Sequence, residues 1–141
     1  MKKDTVIEYG IMIAANELKI EPIDYAIDYE GILKDNDLMG IYNPDKRLIF
    51  INGDWLEKAN YNDILLVVFH EMRHYYQRIQ IDLLYKELIS KEETNKVKIW
   101  KKEFNQYHSP CKSNQDVYVN QAIEKDAIRF SCYLIKKIQS L

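Results

Sequence analysis

Residues 64–79 place the strongest constraint on how this chain can fold. Ile64-Leu65-Leu66-Val67-Val68-Phe69 is an unbroken apolar run that leads straight into His70-Glu71-Met72-Arg73-His74 and on through Tyr75-Tyr76-Gln77-Arg78-Ile79. Asn62 and Asp63 are good helix caps, and the pattern predicts one long helix from there to about Leu84. The four residues before His70 are all apolar, so the helix heads into a core. Polar groups carried there must find partners.

The spacing of those polar groups is specific. The chain has only three histidines, and two of them sit four residues apart. A chance occurrence of His-Glu-x-x-His in this composition has a probability of about 1 in 200, so the pattern is informative. On a helix, positions i and i+4 project from one face, which lets two imidazoles meet one tetrahedral metal ion. Glu71 points to the side of that face, where a carboxylate reaches a water molecule without occupying the metal. A metal ion would satisfy the buried polar groups together, which a plain polar stripe would not.

The remaining elements follow from capping, periodicity and turn chemistry. Asp4 is a candidate cap for a first helix running to about Leu18, with Ile7, Ile11, Ala14, Ala15 and Leu18 on one stripe. Pro22 ends it. Ile23 to Ile32 reads as a strand ending near Gly31, and Leu38–Tyr42 with Arg47–Asn52 around Asn43-Pro44-Asp45 reads as a hairpin. Tyr85–Tyr107 is helix-prone, with an interruption expected at Lys91–Lys96, and His108-Ser109-Pro110 is a break. A last helix is predicted from about Asp116 to Ile138. Helix, three strands, then helices is an α+β order. With 141 residues the chain fits one domain spanning residues 1–141, and about two-thirds of its surface can be buried.

Composition narrows the function classes. Twenty basic against 22 acidic side chains lack the basic excess of a nucleic-acid binder. No stretch approaches the ~20 apolar residues of a membrane span, and Asp4 and Glu8 interrupt what would be the apolar part of an export signal. Cys111 and Cys132 are widely separated, so free thiols in the cytoplasm are expected.

Two histidines and a water leave one protein ligand to be found. The downstream candidates are His108, Asp116, Glu124 and Asp126. Glu124 and Asp126 flank the apolar stripe of Ile123 and Ala127, where a carboxylate needs a partner. Of these Glu124 is the favoured ligand.

The hairpin from Gly40 to Asn52, the helix carrying His70 to His74 and the helix carrying Glu124-Lys125-Asp126-Ala127 resemble, in that order, the strand, motif helix and glutamate helix of gluzincin metallopeptidases. The resemblance is to the smallest forms, the minigluzincins and ImmA/IrrE-like peptidases, and covers Met39 to Leu134. It implies a minimal zincin-like fold, one Zn2+ per chain held by His70, His74 and Glu124, and Glu71 as base and proton shuttle. Asp126 would orient a ligand or serve as an alternative one. Many relatives carry Glu-x-x-x-Asp or Glu-x-x-x-Asn, which would fall at Ile128, and Arg73 replaces the small residue often found before the second histidine. Tyr118, Tyr107, His108 and Arg129 are the candidates for oxyanion or substrate contacts. The activity implied is zinc-dependent hydrolysis of a peptide bond in a peptide or protein substrate, without nucleic-acid or membrane partners. The competing function is a catalytically silent metal-binding protein that uses the same cleft to hold a peptide or protein.

Overall fold

The computed structural model describes residues 1–88, 90–106, 118 and 120–141. Its architecture is α+β: an N-terminal helix, a small three-stranded mixed sheet, then several helices. Helix α1 (Lys3–Leu18) leads to β1 (Asp24–Asp28), a short α2 (Ile32–Asp35), the pair β2 (Gly40–Asn43) and β3 (Leu48–Asn52), and a short α3 (Gly53–Lys58). The long α4 (Tyr61–Tyr85), α5 (Thr94–Asn105) and α6 (Ala122–Gln139) follow.

Local chemistry sets the boundaries. The expected strand over residues 23–32 stops at Asp28, because its carboxylate accepts the backbone N–H groups of Glu30, Gly31 and Leu33 and turns the chain into α2. Asp4 lies within the first turn of α1 rather than at its cap, where it favours the helix through the dipole. Asn52 both ends β3 and starts α3: its Oδ1 accepts from Trp55 N–H and its Nδ2 donates to the Leu38 carbonyl. Asn60, two residues earlier than expected, caps α4 by accepting from Asp63 N–H. The last helix, expected from Asp116, is described from Ala122; Tyr107, His108 and Asp116 lie outside the described residues.

The sheet order is β1-β3-β2. β3 pairs parallel with β1 (Tyr25 opposite Ile49, Ile27 opposite Ile51) and antiparallel with β2 (Ile41 opposite Phe50, Asn43 opposite Leu48). Ile49 and Ile51 of the central strand are fully buried. α4 runs through the middle of the molecule, packed against α1, α5, α6 and β2. Two glycines permit the closest approaches. A Cβ at Gly10 would lie 2.9 Å from a Val68 methyl, and one at Gly40 would lie 2.8 Å from a Val67 methyl. The second approach brings the open edge of β2 down onto the motif turn of α4.

Among the described residues no helix is long and apolar enough to cross a membrane. Cys132 is an exposed free thiol.

Candidate metal centre

α4 enters the core through Ile64, Val68, Phe69 and Met72, all without exposure to solvent. The same helix carries a buried polar stripe: Glu71, His74, Gln77 and Gln80, with His70 at its more open end. These are the polar groups whose burial requires partners, and they have them. Among the described residues no buried side-chain nitrogen or oxygen lacks a hydrogen bond.

The partners converge on one point. Nε2 of His70 and Nε2 of His74 are 3.2 Å apart, and Oε1 of Glu124, reaching in from α6, lies 2.8 Å from the first and 3.1 Å from the second. Ligand atoms around a tetrahedral ion at about 2.0–2.1 Å are about 3.3–3.4 Å from one another, so this triangle needs to open by only a few tenths of an ångström. His70, Glu71 and His74 likewise present ligating atoms within 4.8 Å of one another. The residues therefore fit a metal ion in donor type and spacing. Glu124 lies closer to both imidazoles than that wider limit, while Glu71 Oε1 accepts the Tyr42 backbone N–H at 2.9 Å.

The tautomer of His74 is set from behind. Gln77, one turn further on and without solvent exposure, accepts the Nδ1 proton on its Oε1 at 2.9 Å. Its amide nitrogen donates to the Ile123 carbonyl and to Asp126 Oδ2, which orients the amide unambiguously. In the neutral ring this leaves Nε2 as the lone-pair atom facing the cluster, the form a metal would bind, whereas the protonated ring donates from Nε2 to Glu124. Asp126 is itself held by Arg73 through two bonds of 2.7 and 3.1 Å. The guanidinium is packed against Tyr76 and Phe130. The structure thus places Asp126 behind His74, touching neither histidine. Being two residues from Glu124, it leaves α6 on a different side.

Electrostatics reflect the packing. Burial disfavours the charged form of His74, but the hydrogen-bonded Glu124 carboxylate outweighs it and the imidazole pKa is raised to about 9. Glu124 shows the complement: burial opposes its charge, yet bonds from both imidazoles hold it well below the usual carboxylate range. Glu71 moves the other way, because burial raises its pKa against the pull of the two histidines. Two glutamates beside the same pair of histidines are thereby driven to opposite acid strengths, a pattern typical of sites that separate an acid–base group from an anion.

Of the residues proposed for substrate or oxyanion contacts, Tyr118 reaches the site: its hydroxyl donates to Glu124 Oε1 at 3.0 Å. It lines the cavities on both sides of Glu71. Arg129 does not. It is exposed on the outer side of α6, beside Lys96, Trp100 and Lys125, because five residues from Glu124 carry it past the far side of the helix. Tyr107 and His108 lie outside the described residues. Sequence reasoning missed Gln77 and Gln80. The signal was there: position 77 falls three and seven residues after the histidines, on the stripe that must be buried.

Comparison with protein-family models, with curated proteins and with solved structures gives no match. The resemblance to gluzincins rests on the residues themselves.

Proposed function

We propose that this chain is a zinc-dependent metallopeptidase of the gluzincin type, acting on a peptide or protein substrate in the cytoplasm, where the Cys132 thiol stays reduced. The observation that carries the reading is the convergence of His70 Nε2, His74 Nε2 and Glu124 Oε1 beside the buried carboxylate of Glu71. His70, His74 and Glu124 would hold the zinc, and zinc bound there supplies the Lewis acidity that makes water nucleophilic at neutral pH.

Glu71 takes the proton from the attacking water as the oxygen bonds to the amide carbon, and gives a proton to the amine as the C–N bond breaks. Its raised pKa brings it toward the operating pH, where such a shuttle is most effective. The Tyr42 N–H fixes its orientation. Tyr118, whose O–H is given to Glu124 Oε1 in this structure, would turn that proton to the oxyanion once the Glu124 oxygen is taken up by the metal. β2 is an edge strand whose Tyr42 N–H turns away from β3 to Glu71, so the backbone of Gly40, two residues earlier, faces the same way along the cleft and can pair with an extended substrate.

The test combines metal analysis with cleavage of a peptide library. Purified or reloaded protein should contain about one zinc per chain, lost in His74→Ala and Glu124→Ala. Glu71→Gln should keep the zinc and lose cleavage. No zinc after reloading refutes the reading, and a zinc-loaded Glu71→Gln protein with full activity refutes the mechanism. Zinc without cleavage by the parent leaves the binding protein as the function.

A further inference from the structure

Two arginines on α4 are treated differently by the fold. Arg73 has its counter-ion in Asp126. Arg78 is half-buried with its guanidinium 4.1 Å from the centre of the Phe104 ring, and among the described residues no carboxylate comes within ion-pair distance of it. Asp45 and Asp82 act on it only from further away, and burial opposes its charge. An arginine remains protonated regardless, so this cation sits in a partly desolvated place with no ion-pair partner among the described residues.

That place is the cleft. Arg78 lies seven residues after Glu71, on the same helical stripe and about 10.5 Å further along the axis at 1.5 Å per residue. With Tyr42, Pro44 and Phe104 it bounds a cavity of about 200 Å3 that opens onto Glu71 and His74. On the other side of Glu71 a hollow of about 330 Å3 is walled by Leu38, Met39, Leu66 and Val67, and its charged rim residue is Asp37. One end of the cleft is cationic and the other apolar and acidic.

We infer that Arg78, stacked on Phe104, is a carboxylate-binding subsite of this cleft, and that the chain selects peptides bearing a carboxylate there. The guanidinium fork matches the two oxygens of a carboxylate, and stacking on the ring pre-orients it. The axial distance from Glu71 corresponds to about three residues of extended chain at about 3.3 Å each, which sets the position at two to four residues from the bond cut. That position rests on the peptidase reading; the carboxylate site itself does not. The carboxylate is supplied by an Asp or Glu side chain or by a free C terminus.

The experiment uses a quenched-fluorescence peptide library with Glu or Gln fixed in turn at each position, made with free and with amidated C termini. It is offered to the zinc-loaded parent and to Arg78→Gln and Arg78→Met, the last keeping an apolar stem on Phe104. The same peptides without quencher are measured for retention on immobilised Glu71→Gln protein with and without Arg78→Gln. Expected is a preference for Glu over Gln of about tenfold to a hundredfold at one position, falling to near unity in the Arg78 variants. A preference that needs the free C terminus assigns the backbone carboxylate, and one indifferent to amidation assigns the side chain. Equal cleavage of Glu and Gln peptides, or a preference that survives in folded Arg78→Gln and Arg78→Met, overturns the subsite and leaves the peptidase reading standing. If the parent cleaves nothing, the peptidase reading fails and retention decides alone. Glu peptides held by the Glu71→Gln protein and released with Arg78→Gln support the subsite, and equal retention overturns it.

Discussion

Replacing Gln77 by Leu is the sharpest test of how the centre is held. The volumes are similar, so the change leaves no cavity and removes only hydrogen bonds. Three are lost: the one accepted from His74 Nδ1 and the two donated to Ile123 O and Asp126 Oδ2. The buried His74 N–H is left without an acceptor, which costs about 1–3 kcal/mol. The Asp126 bond adds about 1 kcal/mol, since Arg73 still neutralises that carboxylate. A total of about 2–4 kcal/mol lowers the melting temperature of a domain this size by about 6–14 °C. Freed of its partner, the His74 ring can take the wrong tautomer or rotate, so metal affinity falls by about tenfold to a hundredfold. Gln77→Glu separates the two effects. It keeps an acceptor for Nδ1 and so most of the affinity, while setting a second carboxylate against Asp126 and costing stability. Thermal melts of the metal-free proteins and competitive zinc titrations read the two quantities. A Gln77→Leu protein that melts within about 2 °C of the parent and binds zinc within about twofold refutes the relay from Asp126 through Gln77 to His74.

Three further outcomes follow from the same contacts. Asp126→Ala strands the Arg73 guanidinium, whose side chain is only 12% exposed, among Tyr76, Trp100 and Phe130. It should cost about 3–5 kcal/mol in denaturant unfolding, with much of that recovered when Arg73→Met is added; no recovery in the double variant would contradict the assignment. Gly40→Ala drives a methyl against Val67 and Ile51 and should destabilise by about 1–3 kcal/mol while displacing β2 from α4, visible as a lower melting temperature together with a higher KM for any library peptide. In the metal-free protein the raised His74 pKa contributes stability that is fully present below the ordinary value of 6.5 and is lost as pH rises through about 9. The depressed Glu124 pKa contributes stability present above its ordinary 4.5 and lost as pH falls through its folded value. Melts from pH 5 to 9 should therefore decline on the alkaline side, while zinc affinity climbs by about tenfold per pH unit as the competing proton leaves; metal-free stability that rises from pH 6.5 to 9 would contradict the sign.

Helices, strands and the motif turn were legible because their causes are local. Apolar periodicity marks α1 and α4, the Asn-Pro-Asp turn marks the β2–β3 hairpin, and the i, i+4 histidines of one helix meet by geometry alone. The sequence by itself also singled out Glu124, because a carboxylate beside a buried stripe demands a partner. What it did not contain is which partner each polar group takes. Asp126 and Arg129 both follow Glu124 closely in the chain, yet one is drawn behind His74 by Arg73 and Gln77 while the other is turned to solvent. β1 joins the sheet parallel to β3, on the side away from the cleft, which no strand pattern specifies. Gly40 lets β2 descend onto α4 and brings the Tyr42 N–H to Glu71. Periodicity says which side of a helix is buried; only packing of distant segments decides what it is buried against, and at this centre that choice turns two histidines and two glutamates into one site.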